Sequence, residues 1–137
     1  MTDQPDANRP IPTIAERIAQ VLQVDKIRGH AFLPPADVMA TVPKLYATER
    51  VLTKDKQFVL HFFVGSMDWW IAEVDPESWT AFGFANLGDP QNAEWGYVDL
   101  LELGEVVAGP GGMLTVERDL YWTPTLAATV LGERFGR

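Results

Sequence analysis

Residues 58–98 decide the fold of this 137-residue chain, and they read FVLHFFVGSMDWWIAEVDPESWTAFGFANLGDPQNAEWGYV. Four segments of this stretch are dense in aromatic and branched side chains: 58–64, 69–74, 79–85 and 94–98. Such side chains favour strands, and the Gly, Pro, Asp and Asn residues between the segments favour turns. Because these connections are too short for crossover helices, we predict an antiparallel meander with 58–64 as a central strand.

A last strand is predicted for residues 114–122, which makes about five strands in all. Within the third strand, Gly83 is expected to mark a bulge or a close approach of two backbones. Residues 109–112, Gly-Pro-Gly-Gly, are expected to form a loop, and residues 50–56 a charged connection.

Four helices are expected around this sheet. The first should begin at Thr13, because Thr13 and Glu16 have the spacing of a capping box. A short second helix is predicted for 36–41, and a third near Asp99, which has the same spacing to Glu102. The fourth should begin at Thr123-Pro124 and run to between residues 131 and 134. We therefore predict an α+β fold in a single domain over 13–137, an antiparallel sheet flanked by N-terminal, short middle and C-terminal helices, after a flexible leader over 1–12.

Composition excludes several classes of protein. The chain has no cysteine, which rules out a disulfide framework and a thiolate metal site, and its only histidines are His30 and His61. The N-terminus lacks the basic and then apolar pattern of a signal peptide. The longest apolar run is far shorter than the roughly 20 residues of a membrane span. We expect a cytoplasmic protein without membrane contact, and we assign no cofactor, metal ligand or catalytic residue.

The distribution of charge is the most unusual feature of the sequence. Residues 57–117 contain ten Asp and Glu but no Lys or Arg, and the formal net charge of the chain is −8. Eight of the eleven cations lie in residues 1–56. Proteins that bind nucleic acid need clustered Lys and Arg. Direct nucleic-acid binding by the central region is therefore not expected.

Strand alternation sorts the candidate binding residues onto faces. In residues 69–75, Trp69, Glu73 and Asp75 are expected to share a face open to solvent or a cleft, while Trp70, Ala72 and Val74 face the core. An exposed Trp69 would be an interface anchor. The full set of candidate binding residues is Trp69, Glu73, Asp75, Glu94, Trp95, Tyr97, Glu117, Arg118 and Asp119.

Each of these features has a plain structural explanation beside the functional one. The carboxylates can keep a sheet face soluble and block edge pairing, or they can converge for acid–base chemistry or Mg²⁺ binding. In the triplet 117–119, Arg118 can clamp an anion, or it can form an internal salt-bridge network with its acidic neighbours. His61 lies in an apolar strand, where a structural histidine is favoured over a catalytic base.

Several ordered blocks of the sequence resemble the domain-of-unknown-function family number 2958. They are PKLYATE at 43–49, WWIAEVD at 69–75, Phe82-Gly83, EWGYVDL at 94–100 followed by Glu102-Leu103, and VERD at 116–119. The similarity covers about residues 43–124, and Trp70 stands where a tyrosine is more usual. The resemblance implies a short bacterial protein of the kind often encoded on plasmids, phages and integrative elements. It implies no activity, and by association it points to anti-defence or element maintenance.

Three hypotheses follow. The leading one is a non-enzymatic acidic module that binds a basic protein partner, in one form as a DNA-mimicking inhibitor of a host defence nuclease. That form requires Glu73, Asp75 and Glu94 to share an exposed patch of one sign. The second is a carboxylate-dependent, metal-assisted hydrolase in which at least two of Glu94, Glu117 and Asp119 converge in a concave pocket. The third is a toxin-immunity protein, which differs from the first only in its partner.

Overall fold

The computed structural model of the protein describes residues 10–132. The predicted leader therefore lies mostly outside the described residues, and residues 10–12 have no regular secondary structure. The α-helices of the described part are α1 (Ile14–Arg28), α2 (Ala36–Met39), α3 (Leu100–Glu105) and α4 (Ala127–Leu131). The strands are β1 (Gln57–Phe58), β2 (Leu60–Val64), β3 (Met67–Val74), β4 (Thr80–Leu87), β5 (Glu94–Asp99), β6 (Val107–Ala108), β7 (Leu114–Thr115), β8 (Glu117–Arg118) and β9 (Thr125–Leu126).

The main sheet has five antiparallel strands in the order β5-β4-β3-β2-β8. This confirms the predicted α+β fold with its meander and its N-terminal and C-terminal helices. Two small two-stranded sheets, β1 with β9 and β6 with β7, lie beside it. Residues 60–64 form β2, an inner strand with β3 on one side and β8 on the other, so the prediction of a central strand is confirmed for this part of 58–64. The segment is divided at Val59 between β1 and β2, which pair with different partners.

The predicted helix starts at Thr13 and Asp99 are confirmed. Thr13 and Glu16 form a complete capping box at α1. Asp99 accepts hydrogen bonds from the amides of Leu101 and Glu102 at the start of α3. These caps satisfy amides that have no partner inside the helix.

The C-terminal predictions were wrong in detail. Residues 114–122 are not one strand: β7 and β8 are separated by the buried Val116, and the chain turns after Arg118. The fourth helix does not begin at Thr123-Pro124. Residues 125–126 first pair with β1, and α4 starts at Ala127. Here a strand pairing between distant segments overrode a favourable local helix signal.

A bulge in β3 reverses the predicted faces of its last residues. Ile71 pairs with Gly83, but Glu73 pairs with the next residue of β4, Phe82, so Ala72 is an extra residue in β3. The prediction for Gly83 is confirmed in both parts. The bulge in β3 lies opposite this residue, and a Cβ on it would stand 2.0 Å from the Trp70 carbonyl oxygen. Glu73 therefore shares a face with Trp70 instead of with Ile71.

Both faces of the sheet are covered at β3, which corrects the expectation of one open face there. On one side, Trp69, Ile71 and Val74 pack in a core with residues of α1 and α3. On the other side, Ala72 packs with Phe58, Phe84 and Ala127 of α4. Trp69 is only 7% exposed, so it is a core residue and not the predicted exposed anchor. None of the described helices is both long and apolar enough to cross a membrane.

Candidate functional site

The segment 43–49 folds over β3 and encloses the carboxylate of Glu73. This carboxylate accepts hydrogen bonds from the amides of Tyr46 at 2.8 Å and Thr48 at 3.0 Å, and from the Thr48 hydroxyl. The ammonium of Lys56 lies 3.6 Å away and also donates to the Thr48 hydroxyl at 2.8 Å. Glu73 is 3% exposed and Lys56 5% exposed. Of the two expected surroundings for Glu73, solvent was wrong, since the bulge turns the side chain toward Lys56, whereas a cleft does adjoin it.

The surroundings of Glu73 favour its charged form. Burial is the largest single influence and acts to raise the pKa of Glu73. Hydrogen bonds from Thr48 and Tyr46, together with the charge of Lys56, outweigh burial and lower the pKa below its usual value. The ion pair therefore anchors the 43–49 segment to the sheet.

Two tyrosines stand above this ion pair. Tyr46 has a φ of 71°, a backbone conformation that is uncommon for a residue other than glycine, and its side chain is 57% exposed. Tyr97, on β5, is 61% exposed and its hydroxyl lies 3.5 Å from the Tyr46 hydroxyl. The two ring centroids are 6.4 Å apart, in an edge-on arrangement. Large exposed aromatic side chains held in this way are typical of binding sites.

A cleft of about 250 Å³ opens beside these tyrosines, and we call it the tyrosine cleft. It is lined by Tyr46, Glu49, Val51, Thr53, Lys56, Glu73, Phe82 and Tyr97. The hydrogen bond with Tyr46 is the main cause of a raised pKa at Tyr97, with smaller contributions from desolvation and from the charge of Glu73. Because the charges of Lys56 and Glu73 offset each other, Glu49 is the lining carboxylate without an ion-pair partner among the described residues.

Asp75 belongs to a neighbouring turn, where its carboxylate accepts hydrogen bonds from the Glu77 amide at 2.9 Å and the Ser78 hydroxyl at 3.0 Å. The bond from the Glu77 amide is the main reason that the pKa of Asp75 is lowered, and the positive charge of Lys44 adds to it. A second hollow of about 330 Å³ lies between this turn and Tyr46. Asp75 therefore shapes a turn beside the tyrosine cleft.

The remaining candidate residues do not form one site. Glu94 and Trp95 lie on the edge strand β5, while Glu117 and Arg118 form β8 at the opposite edge of the sheet. Asp119 follows β8. Within residues 10–132, no group of three acidic or histidine side chains could hold a metal ion. The structure thus does not bring Glu94 together with Glu117.

Arg28, and not Arg118, forms an internal network of hydrogen bonds and ion pairs. The buried Arg28 guanidinium bonds the carbonyl oxygens of Val116 at 2.7 Å and Gly104 at 2.6 Å, and the carboxylate of Asp25. Burial lowers the pKa of Arg28, and the nearby carboxylates oppose that shift. Arg118 instead donates to the Ala31 carbonyl oxygen at 3.2 Å, and in the described chain it has no carboxylate within 4.0 Å.

His61 is held between two carboxylates. Its ring nitrogens lie 2.9 Å from an oxygen of Asp119 and 2.8 Å from an oxygen of Asp68. The ring also stacks on Trp70, with centroids 5.4 Å apart and planes 9° apart. The histidine thereby ties β2 to β3 and to the turn after β8, which agrees with the structural role favoured from the sequence.

Cations from outside the Lys/Arg-free stretch are paired with several of its carboxylates. The pairs are Arg17 with Asp99 at 2.8 Å, Arg28 with Glu117 at 4.0 Å, and Lys56 with Glu73 at 3.6 Å; His30 also contacts Glu117 at 2.9 Å. The patch of one sign that a DNA mimic requires is therefore not formed by Glu73, Asp75 and Glu94.

Sequence reasoning missed Tyr46, Glu49 and Lys56 as parts of a site. The signal for two of them was present, because Tyr46 and Glu49 belong to the block that carries the family resemblance. Lys56 gave no such signal. Of the predicted binding residues, Glu73 and Tyr97 line the cleft, and Asp75 lies in the neighbouring turn.

Fold and cleft define a small α+β protein that has a surface cleft flanked by the exposed side chains of Tyr46 and Tyr97. The family described as "Protein of unknown function (DUF2958)" matches residues 36–133, and the chain belongs to this family. The match extends beyond the 43–124 region in which the resemblance was seen. No curated protein and no solved structure matches the chain.

Proposed function

We propose that this protein is a non-enzymatic binding module that takes a basic segment of a protein partner into the tyrosine cleft. The observation that carries the proposal is the pair of tyrosines, Tyr46 and Tyr97, each more than half exposed at a cleft. The cleft also holds the carboxylate of Glu49, which has no ion-pair partner within residues 10–132. Aromatic rings attract Lys and Arg side chains through cation–π contact, and a carboxylate binds the same groups by charge-assisted hydrogen bonds.

The charge of the whole chain supports the same kind of partner. A net charge of −8 attracts a basic segment over long range and increases its rate of association at low salt. The cleft itself would supply the specificity. An anti-defence inhibitor carried by a mobile element and a toxin-immunity protein both agree with this proposal, and they differ in the identity of the partner.

The test is a pulldown from bacterial host lysate with the tagged full chain and three variants. Tyr97→Ala and Glu49→Gln change the cleft. Tyr121→Ala removes a tyrosine that is 93% exposed and outside the cleft, so it is a matched control. We expect the parent chain to capture a basic protein. The captured amount should fall at least tenfold with either cleft variant and stay unchanged with Tyr121→Ala. Equal capture by all four proteins would refute the proposal.

A further inference from the structure

Three aromatic side chains meet at steep angles in the tyrosine cleft. The ring planes of Tyr46 and Tyr97 lie at 62° to each other, with centroids 6.4 Å apart. The ring planes of Phe82 and Tyr97 also lie at 62°, with centroids 5.4 Å apart. The two tyrosines are more than half exposed, so a ligand can reach their rings. Aromatic rings grouped in this way are the surroundings in which proteins bind methylated ammonium groups.

The charges of the cleft fit a single ligand cation. The ammonium of Lys56 lies 5.8 Å from the ring centroid of Phe82 and 3.6 Å from the carboxylate of Glu73. Because Lys56 is paired with an acid and already stands over the Phe82 ring, the rings that remain for a ligand cation are those of the two tyrosines. Glu49 adds a negative charge to the lining, and one bound cation would offset it.

The hydrogen-bond acceptors of the cleft favour a cation with few N–H groups. Both carboxylate oxygens of Glu73 already accept hydrogen bonds, one from the Tyr46 amide and the other from Thr48. Among the lining residues, this leaves Glu49 as the carboxylate available to a ligand, beside neutral hydroxyl groups. A lysine ammonium has three N–H groups and an arginine guanidinium has five, and all of them lose hydrogen bonds to water on entering a cleft. One carboxylate cannot replace so many bonds.

Methylation of a lysine side chain removes N–H donors and keeps the positive charge. A dimethylated lysine retains one N–H, which matches the one available carboxylate. We propose that the tyrosine cleft recognises a dimethylated lysine in the basic segment of the partner. Its methyl groups lie against the rings of Tyr46 and Tyr97, and its remaining N–H donates to the Glu49 carboxylate. This inference rests on the proposed function of the cleft and adds the chemical state of the side chain that is bound.

The probe is an acetylated and amidated heptapeptide of Gly and Ser with one central lysine, titrated into the isotopically labelled full chain. Three forms carry an unmodified, a dimethylated or a trimethylated lysine, and in a fourth form a neutral isopropyl group replaces the dimethylammonium group. We expect the dimethylated form to bind about tenfold more tightly than the unmodified form. The isopropyl form has the same shape without the charge, and it should bind about tenfold more weakly than the dimethylated form.

Variants of the chain test which residues make the contacts. Tyr97→Ala should weaken binding of the dimethylated peptide about tenfold, while Tyr121→Ala, which lies outside the cleft, should not weaken it. The parent chain should prefer the dimethylated to the trimethylated form, because only the dimethylated form has an N–H for Glu49. Glu49→Gln should remove that preference, and a preference that survives would overturn the assigned contact with Glu49. Unchanged amide signals outside the cleft verify that each variant is folded.

Three results with the parent chain would overturn the recognition of dimethylated lysine. The first is equal affinity for the dimethylated peptide and either the unmodified or the isopropyl peptide. The second is the absence of binding by the dimethylated peptide. The third is binding of dimethylammonium chloride as tightly as the peptide, which would indicate a small amine as the ligand and not a protein side chain. The pulldown with Tyr97→Ala decides separately whether the proposed function of the cleft fails.

Discussion

Glu73→Gln is the substitution that tests the central ion pair most directly. Glutamine has nearly the same shape, so the change removes the negative charge without creating a cavity. It leaves the ammonium of Lys56, which is 5% exposed, without its counter-charge. Breaking a buried pair in this way costs about 3–5 kcal/mol. Because Lys56 keeps its hydrogen bond to the Thr48 hydroxyl, we expect the lower end, about 3 kcal/mol.

The free energy of unfolding is measured by urea unfolding, and Tm by thermal unfolding, both monitored by tryptophan fluorescence and far-ultraviolet circular dichroism. A loss of about 3 kcal/mol corresponds to a fall in Tm of roughly 10 °C for a domain of this size. The matched control is Glu77→Gln, which neutralises an exposed carboxylate two residues after Asp75. It should change the free energy of unfolding by less than about 0.5 kcal/mol.

A double variant separates the ion pair from the hydrogen bonds around it. In Lys56→Met with Glu73→Gln, neither charge remains buried, so the double variant should be more stable than the sum of the two single losses predicts. A loss of under about 1 kcal/mol for Glu73→Gln alone, or simple additivity in the double variant, would refute the reasoning.

Three further predictions concern stability. The lowered pKa of Glu73 contributes stability that is present above its unfolded pKa of about 4.3 and is lost as pH falls through the folded pKa. Between roughly pH 5 and 2, the free energy of unfolding of Glu73→Gln should therefore fall less steeply with falling pH than that of the parent protein. Equal slopes for the two proteins would contradict this. Gly83→Ala should lower the free energy of unfolding by at least about 3 kcal/mol or prevent folding, because the new Cβ meets a backbone carbonyl oxygen. Gly96→Ala on the adjoining strand is the control: its Cβ would have nothing within 4 Å, and the loss in the same urea experiment should be under about 1 kcal/mol. Arg28→Met should cost about 3 kcal/mol by leaving buried carbonyl groups unpaired, while Lys26→Met in the same helix turn should be nearly neutral by thermal unfolding.

The elements that sequence reasoning predicted correctly depend on neighbouring residues. The capping box at Thr13 and the cap at Asp99 each need only a few adjacent residues with suitable hydrogen-bonding groups. The prediction for Gly83 was also local, because a glycine inside a strand indicates a close approach of two backbones whichever strand is its neighbour. Such local signals gave the fold class and most of the element positions.

The errors all depend on residues far apart in the chain. The helix predicted from Thr123 was shortened because β9 pairs with β1, a contact between segments nearly 70 residues apart. Trp69 was expected on an open face, but α1 and α3 cover that face. No pattern within β3 itself indicates which helix packs against it.

The sequence by itself determined that this is an α+β protein with capped helices, an antiparallel meander and an acidic central region, because propensity, capping and alternation act over a few residues. Only the tertiary structure decided what the acidic residues do. The extra residue in β3 turns Glu73 inward, and Lys56, from before the strand, meets it there. The tyrosine cleft exists because that pair holds the 43–49 segment against the sheet and brings Tyr46 to Tyr97. Bulges and pairings of this kind are set by packing across the whole domain, so no local pattern contains them.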